Sequence, residues 1–181
     1  MKNIHALLTR RKPDTNKGDY GRLLIIAGSL GMTGAAVLCG RGALRSGAGL
    51  VYLAVPRSLQ NYIDAATPEY LTIGLSETKH STLSLAAVPE VLDLIIKRNI
   101  TAVVLGPGLS ENSETVLATR QLIAKIKIPM IIDADGLNAL AKNIALLKNA
   151  AAKLVLTPHP GEFARLTGLA ISAIQKKRSF Y

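Results

Sequence analysis

The chain has 181 residues, 49% hydrophobic and 19% charged, which fits one globular domain with a sizeable core. No apolar run approaches the roughly 20 residues of a membrane helix, and Met1-Lys2-Asn3-Ile4-His5 lacks the apolar core of a secretory signal, so membrane insertion is set aside and a cytoplasmic location is expected. The formal charge of +10 is scattered apart from Arg10-Arg11-Lys12 and Lys176-Lys177-Arg178, without interleaved aromatics, which disfavours nucleic acid and favours an anionic metabolite.

Residues 1–21 read as polar and irregular after a short helical start, ending in the turn Asn16-Lys17-Gly18-Asp19-Tyr20-Gly21. Residues 22–27 form a continuous apolar run of strand length. The loop Gly28-Ser29-Leu30-Gly31-Met32-Thr33-Gly34 follows, with Thr33 placed to cap a helix over 35–46. That helix is crowded with small residues and carries the single cysteine, Cys39, which reads as a packing thiol. A second strand, 50–55, closes at Pro56, and a short helix over 58–65 follows. Residues 67–71 lead into a polar segment, 76–84, and then a helix over 85–97. Three more strands are expected at 102–105, 129–132 and 154–156. Helices over 113–125, 137–141 and 144–147 separate them, and two more are expected from Glu162 to a stop at Gly168 and from near Ile171. Five strands, each followed by helical material, make a mainly parallel α/β sheet in right-handed crossovers, in a single domain over 1–181.

Four of the strand ends carry unusual chemistry. The glycine loop lacks the Gly-x-Gly-x-x-Gly order of a dinucleotide fingerprint, and strand 50–55 ends without the acid expected about 20 residues on. It also lacks the Lys-Ser/Thr of a P-loop, since Ala35-Ala36 stand there. It remains either a generic anion cradle at a helix start or a set of packing glycines. Gly106-Pro107-Gly108 lets a ligand approach the backbone, or is a plain turn. Asp133 and Asp135 share one side if the chain is extended, and can bind a cation, accept from sugar hydroxyls, or cap the next helix. In Thr157-Pro158-His159-Pro160-Gly161-Glu162, Pro160 suits a first helical position and Glu162 a first turn, so His159 sits on a stiffened loop. Sheet geometry makes such loops converge at the carboxyl ends of the strands.

Taken together, Asn16-Lys17-Gly18-x-x-Gly21, Ala27-Gly28-Ser29-x-Gly31-Met32-x-Gly34-Ala35-Ala36, Ala43-Leu44-Arg45-Ser46-Gly47-Ala48-Gly49-Leu50-Val51, Pro68-Glu69, Leu105-Gly106-Pro107-Gly108-Leu109, Asp133-Ala134-Asp135-Gly136-Leu137-Asn138 and Leu156-Thr157-Pro158-His159-Pro160-Gly161-Glu162-Phe163-Ala164-Arg165-Leu166 resemble the NAD(P)H-hydrate dehydratase family. The resemblance implies a ribokinase-like three-layer α/β/α fold. It implies repair of the S-form of hydrated NADH or NADPH with ADP or ATP and Mg2+, by phosphorylation of the ring hydroxyl and loss of phosphate. It places Ala35, Gly108 and His159 against the hydrated dinucleotide, with Asp135, Asn138 and Glu162 in support. A homo-oligomer, and work alongside an NAD(P)H-hydrate epimerase, are also expected from it.

Two departures qualify the match. Asn16 stands where the family usually has His. The family's Lys-Gly loop for the adenine nucleotide, and its Gly-Ser/Thr-Gly-Asp loop with the expected catalytic base, occur nowhere in these residues. The expectation is therefore the N-terminal two-thirds of the family domain, incomplete on its C-terminal side and inactive alone. The alternatives are a small-alcohol kinase of the same superfamily and a non-catalytic dinucleotide-binding or assembly subunit completed by another chain.

Overall fold

The computed structural model describes residues 12–176 apart from residue 142. The expected helical start, most of the Arg10–Lys12 cluster, and residues 177–181 of the last helix lie outside the described residues.

Among the described residues six strands form one sheet, and every neighbouring pair is parallel. They are β1 (Arg22–Ile26), β2 (Leu50–Pro56), β3 (Leu71–Leu75), β4 (Ala102–Leu105), β5 (Met130–Ile132) and β6 (Leu154–Leu156), in the spatial order β3-β2-β1-β4-β5-β6. The helices are α1 (Thr33–Arg45), α2 (Gln60–Asp64), α3 (Ala87–Lys97), α4 (Ser113–Lys125), α5 (Asp135–Ala141), α6 (Leu146–Asn149), α7 (Pro160–Thr167) and α8 (Ile171–Lys176). The order reverses between β1 and β4, which makes that junction the topological switch point of the sheet.

The sequence expectation of five strands is corrected to six. Leu71-Thr72-Ile73-Gly74-Leu75 is β3, an edge strand whose glycine and threonine hid it. Gly74 is there because the chain passes the 57–60 corner: a Cβ would lie 2.6 Å from Gln60 Oε1. The expected Thr33 cap is also corrected. Thr33 is the first residue of α1, and its N-cap, Met32, makes no side-chain capping bond. Asn16 does cap, accepting from Gly18 N at 2.8 Å while its own N–H donates to Asp19 at 2.9 Å. That 3-10 turn, Lys17–Tyr20, lies at the amino ends of the strands, opposite the four loops.

Alternation along each strand sends side chains to two cores. Leu24, Ile26, Val103, Leu105, Met130 and Ile132 pack under α3, α4, α5 and α7, which contribute Val91, Leu122, Leu137 and Leu166. Ile25, Leu53, Val55 and Val104 pack under α1 and α2, which contribute Ala36 and Ile63. Helices on both faces make three layers. The second cover is partial: along the register row Ile25, Val104, Ile131, Val155 exposure rises from 0% through 9% and 39% to 57%. No helix among the described residues is long and apolar enough to cross a membrane.

Cys39 is half-buried on α1 and packs against the second core. Burial, and then the negative charge of Asp133, push its thiol up to about 11 from an ordinary 9.0. The unfolded thiol ionises first as pH rises, so its contribution to stability is whole below pH 9 and is lost between 9 and about 11. Urea-unfolding stability of the wild-type chain is therefore expected to fall more steeply over that window than that of Cys39→Ala. Parallel curves would contradict this.

Candidate functional site

The four loops start level. Ile26 pairs with Leu105, Leu105 with Ile132, and Ile132 with Leu156, so the last residues of β1, β4, β5 and β6 form one row across the sheet. Backbone bonds continue the ladder past the row: Gly106 N donates to Ile26 O at 3.2 Å, Asp133 N to Leu105 O at 3.1 Å, and Thr157 N to Ile132 O at 3.3 Å. At the switch point Gly28 N donates to Pro107 O at 2.8 Å, locking the glycine loop to the Gly106-Pro107-Gly108 loop.

Two glycines make this closeness possible. Gly106 has φ +132°, and a Cβ there would lie 1.8 Å from Asp133 O. Gly108 has φ +67°, and its Cβ would lie 3.0 Å from the Cβ of Ala35 and of Met32. Ala35 and Gly108, singled out separately in the sequence, are thus direct neighbours: the first turn of α1 rests on the loop after β4.

The two aspartates diverge. Ala134 has φ +48°, so the chain turns between them and α5 begins at Asp135. Asp133 accepts from the Thr157 hydroxyl at 2.8 Å, and Asp135 accepts from Ser110 N at 2.9 Å and Asn138 Nδ2 at 3.2 Å. Each carboxylate ties one loop to the next, a role outside the options weighed in the sequence. Asn138 in turn accepts from Arg165 Nε at 2.9 Å, so Ser110, Asp135, Asn138 and Arg165 link the β4 loop, α5 and α7.

His159 is the N-cap of α7, with Pro160 at the first helical position as the sequence indicated. Its Nδ1 accepts from Gly161 N at 3.0 Å, and its Nε2 lies 3.1 Å from Glu162 Oε1. An acceptor Nδ1 places the ring proton on Nε2, where it donates to the carboxylate. Glu162 closes a capping box by accepting from His159 N at 2.9 Å. The carboxylate is buried while the imidazole stays 61% exposed, so a ligand would meet the face and edge of an oriented ring.

Sequence reasoning missed the other wall. A polar cleft of about 570 Å3 opens beside α1, and its lining includes Ser29, Met32, Lys79, His80, Thr82 and Ser110. The 76–84 segment, left as a polar connection, folds over the glycine loop and is held there by Leu30 N donating to Ser81 O at 3.2 Å. Ser81 (φ +51°) and Ser110 (φ +80°) take left-handed backbone conformations, which cost non-glycine residues about 1–3 kcal/mol and cluster at functional sites. The sequence carried no local signal for this wall, because the 76–84 segment meets the 28–34 loop only in the fold. A second groove, about 410 Å3 and lined by Ile144, Leu147, Leu156, Phe163 and Ile174 among others, is largely apolar.

Gly106→Ala is expected to cost about 3 kcal/mol or more, because it adds both overpacking and backbone strain. Asp135→Ala should cost about 1–3 kcal/mol by stranding the Ser110 N–H, with Asp135→Asn milder. Urea titration checks both, and unchanged exchange of the Ser110 amide in Asp135→Ala would contradict the second.

Comparison with known proteins accords with this geometry. A profile of the NAD(P)H-hydrate dehydratase family matches residues 23–181. The Moorella thermoacetica "Bifunctional NAD(P)H-hydrate repair enzyme Nnr" is 43% identical over 171 residues, which are 94% of this chain and 32% of that protein. The crystal structure of the Bacillus subtilis ADP/ATP-dependent NAD(P)H-hydrate dehydratase, co-crystallised with ATP/Mg2+, superposes with a TM-score of 0.74 at 32% identity. That match covers 97% of this chain and 57% of that one. A ribokinase-like superfamily protein from Enterococcus faecalis shares the fold, with a TM-score of 0.70 at 24% identity over 91% of this chain and 54% of its own. The chain therefore spans about a third of the first relative's length and just over half of each solved structure. With the profile covering all but the first 22 residues, this chain belongs to the NAD(P)H-hydrate dehydratase family.

Proposed function

We propose that the 181 residues act as one ribokinase-like unit that supplies the hydrated-dinucleotide side of an ADP- or ATP-dependent NAD(P)H-hydrate dehydratase. The observation that carries this reading is the contact between Ala35 and Gly108 at the switch point, where an open α/β sheet binds its ligand. Gly108, buried, lets the start of α1 approach the loop after β4, the partly exposed Ala35 presents only a methyl group to the dinucleotide, and His159 offers a ring held by Glu162. Asp135 and Asn138 act as positioning residues, holding the loops after β4 and β5 and helix α7 in place.

The reaction removes the hydroxyl of the hydrated nicotinamide ring as phosphate, with loss of a proton from the adjacent carbon to restore the double bond. The nucleotide supplies the phosphoryl group, and catalysis of such transfers is mainly positioning and charge stabilisation. The described residues contain no group of three or more His, Cys, Asp or Glu side chains placed to hold a metal. Mg2+ in such sites is carried largely by substrate phosphates and water and needs few protein ligands. We assign none of the described residues to the adenine nucleotide or to the catalytic base. The expected pairing with an epimerase is supported by a relative whose name is that of a bifunctional repair enzyme. Self-association is supported by the exposed Ile131 and Val155 on the sheet face, and light scattering tests it.

Calorimetry with hydrated NADPH tests the reading. The wild-type chain is expected to bind, and Ala35→Leu to weaken binding by about tenfold while leaving the circular dichroism unchanged. Equal affinities would remove Ala35 and Gly108 from the binding surface. With ADP or ATP and Mg2+ added, these 181 residues alone are expected not to regenerate NADPH. Turnover would place the base among them.

A further inference from the structure

The cleft beside α1 has a chemistry that the dinucleotide reading does not yet use. Ser29 lines it, is 1% exposed, and its hydroxyl has no hydrogen-bond partner among the described residues. A buried hydroxyl left unpaired is costly, and a ligand atom beside it would relieve that cost. Lys79 and His80 line the same cleft, and neither side chain has a hydrogen-bond or ion-pair partner among the described residues. No carboxylate among the described residues lines it.

The start of α1 adds to this. The helix is 13 residues long, has no side-chain cap and has no acidic residue in its first turn. Ala35 N donates to Met32 O at 3.2 Å, and the positive dipole end of the helix is open to an anion. Around Gly31 and Gly34 nothing lies within 4 Å of where a Cβ would be, so the loop is open to an incoming group. An ammonium, an imidazole, an unpaired hydroxyl and a free helix start together match a tetrahedral oxyanion with several acceptor oxygens.

We propose that Lys79, His80 and the Ser29 hydroxyl, with the uncapped start of α1, form a phosphate-binding subsite for the phosphate groups of the dinucleotide. This rests on the dinucleotide reading above. The diphosphate bridge and a phosphate on the adenosine ribose share the required chemistry.

The test is calorimetry on the 181-residue chain with inorganic pyrophosphate, NAD+ and NADP+, at two salt concentrations. Lys79→Glu is expected to weaken pyrophosphate and NADP+ by about tenfold or more, Lys79→Arg to retain most of the affinity, and binding to weaken with salt. A loss confined to NADP+ among the dinucleotides assigns the ribose phosphate; an equal loss for NAD+ assigns the diphosphate bridge. Ser29→Ala should bind more weakly yet melt no lower, because it removes an unpaired buried hydroxyl, whereas a purely structural serine would melt lower. Loss of pyrophosphate binding in Lys79→Glu, with no dinucleotide bound by wild type, would keep the subsite and discard the dinucleotide reading. Undiminished affinity in Lys79→Glu, or a folded wild-type chain that binds none of the three ligands at millimolar concentration, overturns the proposal.

Discussion

The level row of strand ends is the constraint on which the site depends. Ile26, Leu105, Ile132 and Leu156 pair in one line, so the four loops leave the sheet at the same height. A shift of one residue in any pair would turn every side chain of that strand to the opposite face. The two buried cores forbid that shift, because Leu24, Ile26, Leu105 and Ile132 belong under one helical layer and Ile25 and Val104 under the other. Core packing thus fixes the register, and the register fixes which loops can meet.

Much of this was legible in the sequence, for local reasons. Short apolar runs gave five of the strands, three of them running into Gly or Asp, one into Pro56 and one into Thr157. Pro160 marked the start of α7 because a missing N–H costs nothing at that position. What escaped was non-local. β3 is half covered and carries Gly74, so its pattern is diluted, and its identity as a strand comes from pairing with β2. Lys79 and His80 are near the glycine loop only because the 76–84 segment folds back over it, and no spacing rule brings residue 81 to residue 30. The turn at Ala134, with φ +48°, separates two aspartates that an extended chain would have kept together.

His159 shows how a functional and a structural reading can coexist. A capping interaction stabilises a helix by about 1 kcal/mol, and here it uses both ring nitrogens. The same bonds fix the ring plane, which is what an exposed binding surface needs from a side chain that would otherwise rotate. The capping box therefore gives an ordinary helix start an oriented, exposed ring, the feature the proposed site uses.

The two walls differ in what holds them. Near the switch point, β1 and β4 contribute fully buried side chains on both faces, and their loops are joined by backbone bonds at Gly28 and Gly106. Burying one leucine or isoleucine side chain stabilises by about 1.5–3 kcal/mol, so this wall has several such contributions behind it. At the other end, no residue of β6 is fully buried, and Val155 faces solvent where Ile25 in the same row is sealed. The wall carrying His159 is held mainly by side-chain bonds: Thr157 to Asp133, Arg165 to Asn138, and Glu162 to its own cap. Each has a charged partner and is worth about 1–3 kcal/mol net, comparable to one buried leucine rather than to the several behind the inner wall. A ligand spanning the site would then meet a fixed inner wall of glycine backbone and a more yielding outer wall.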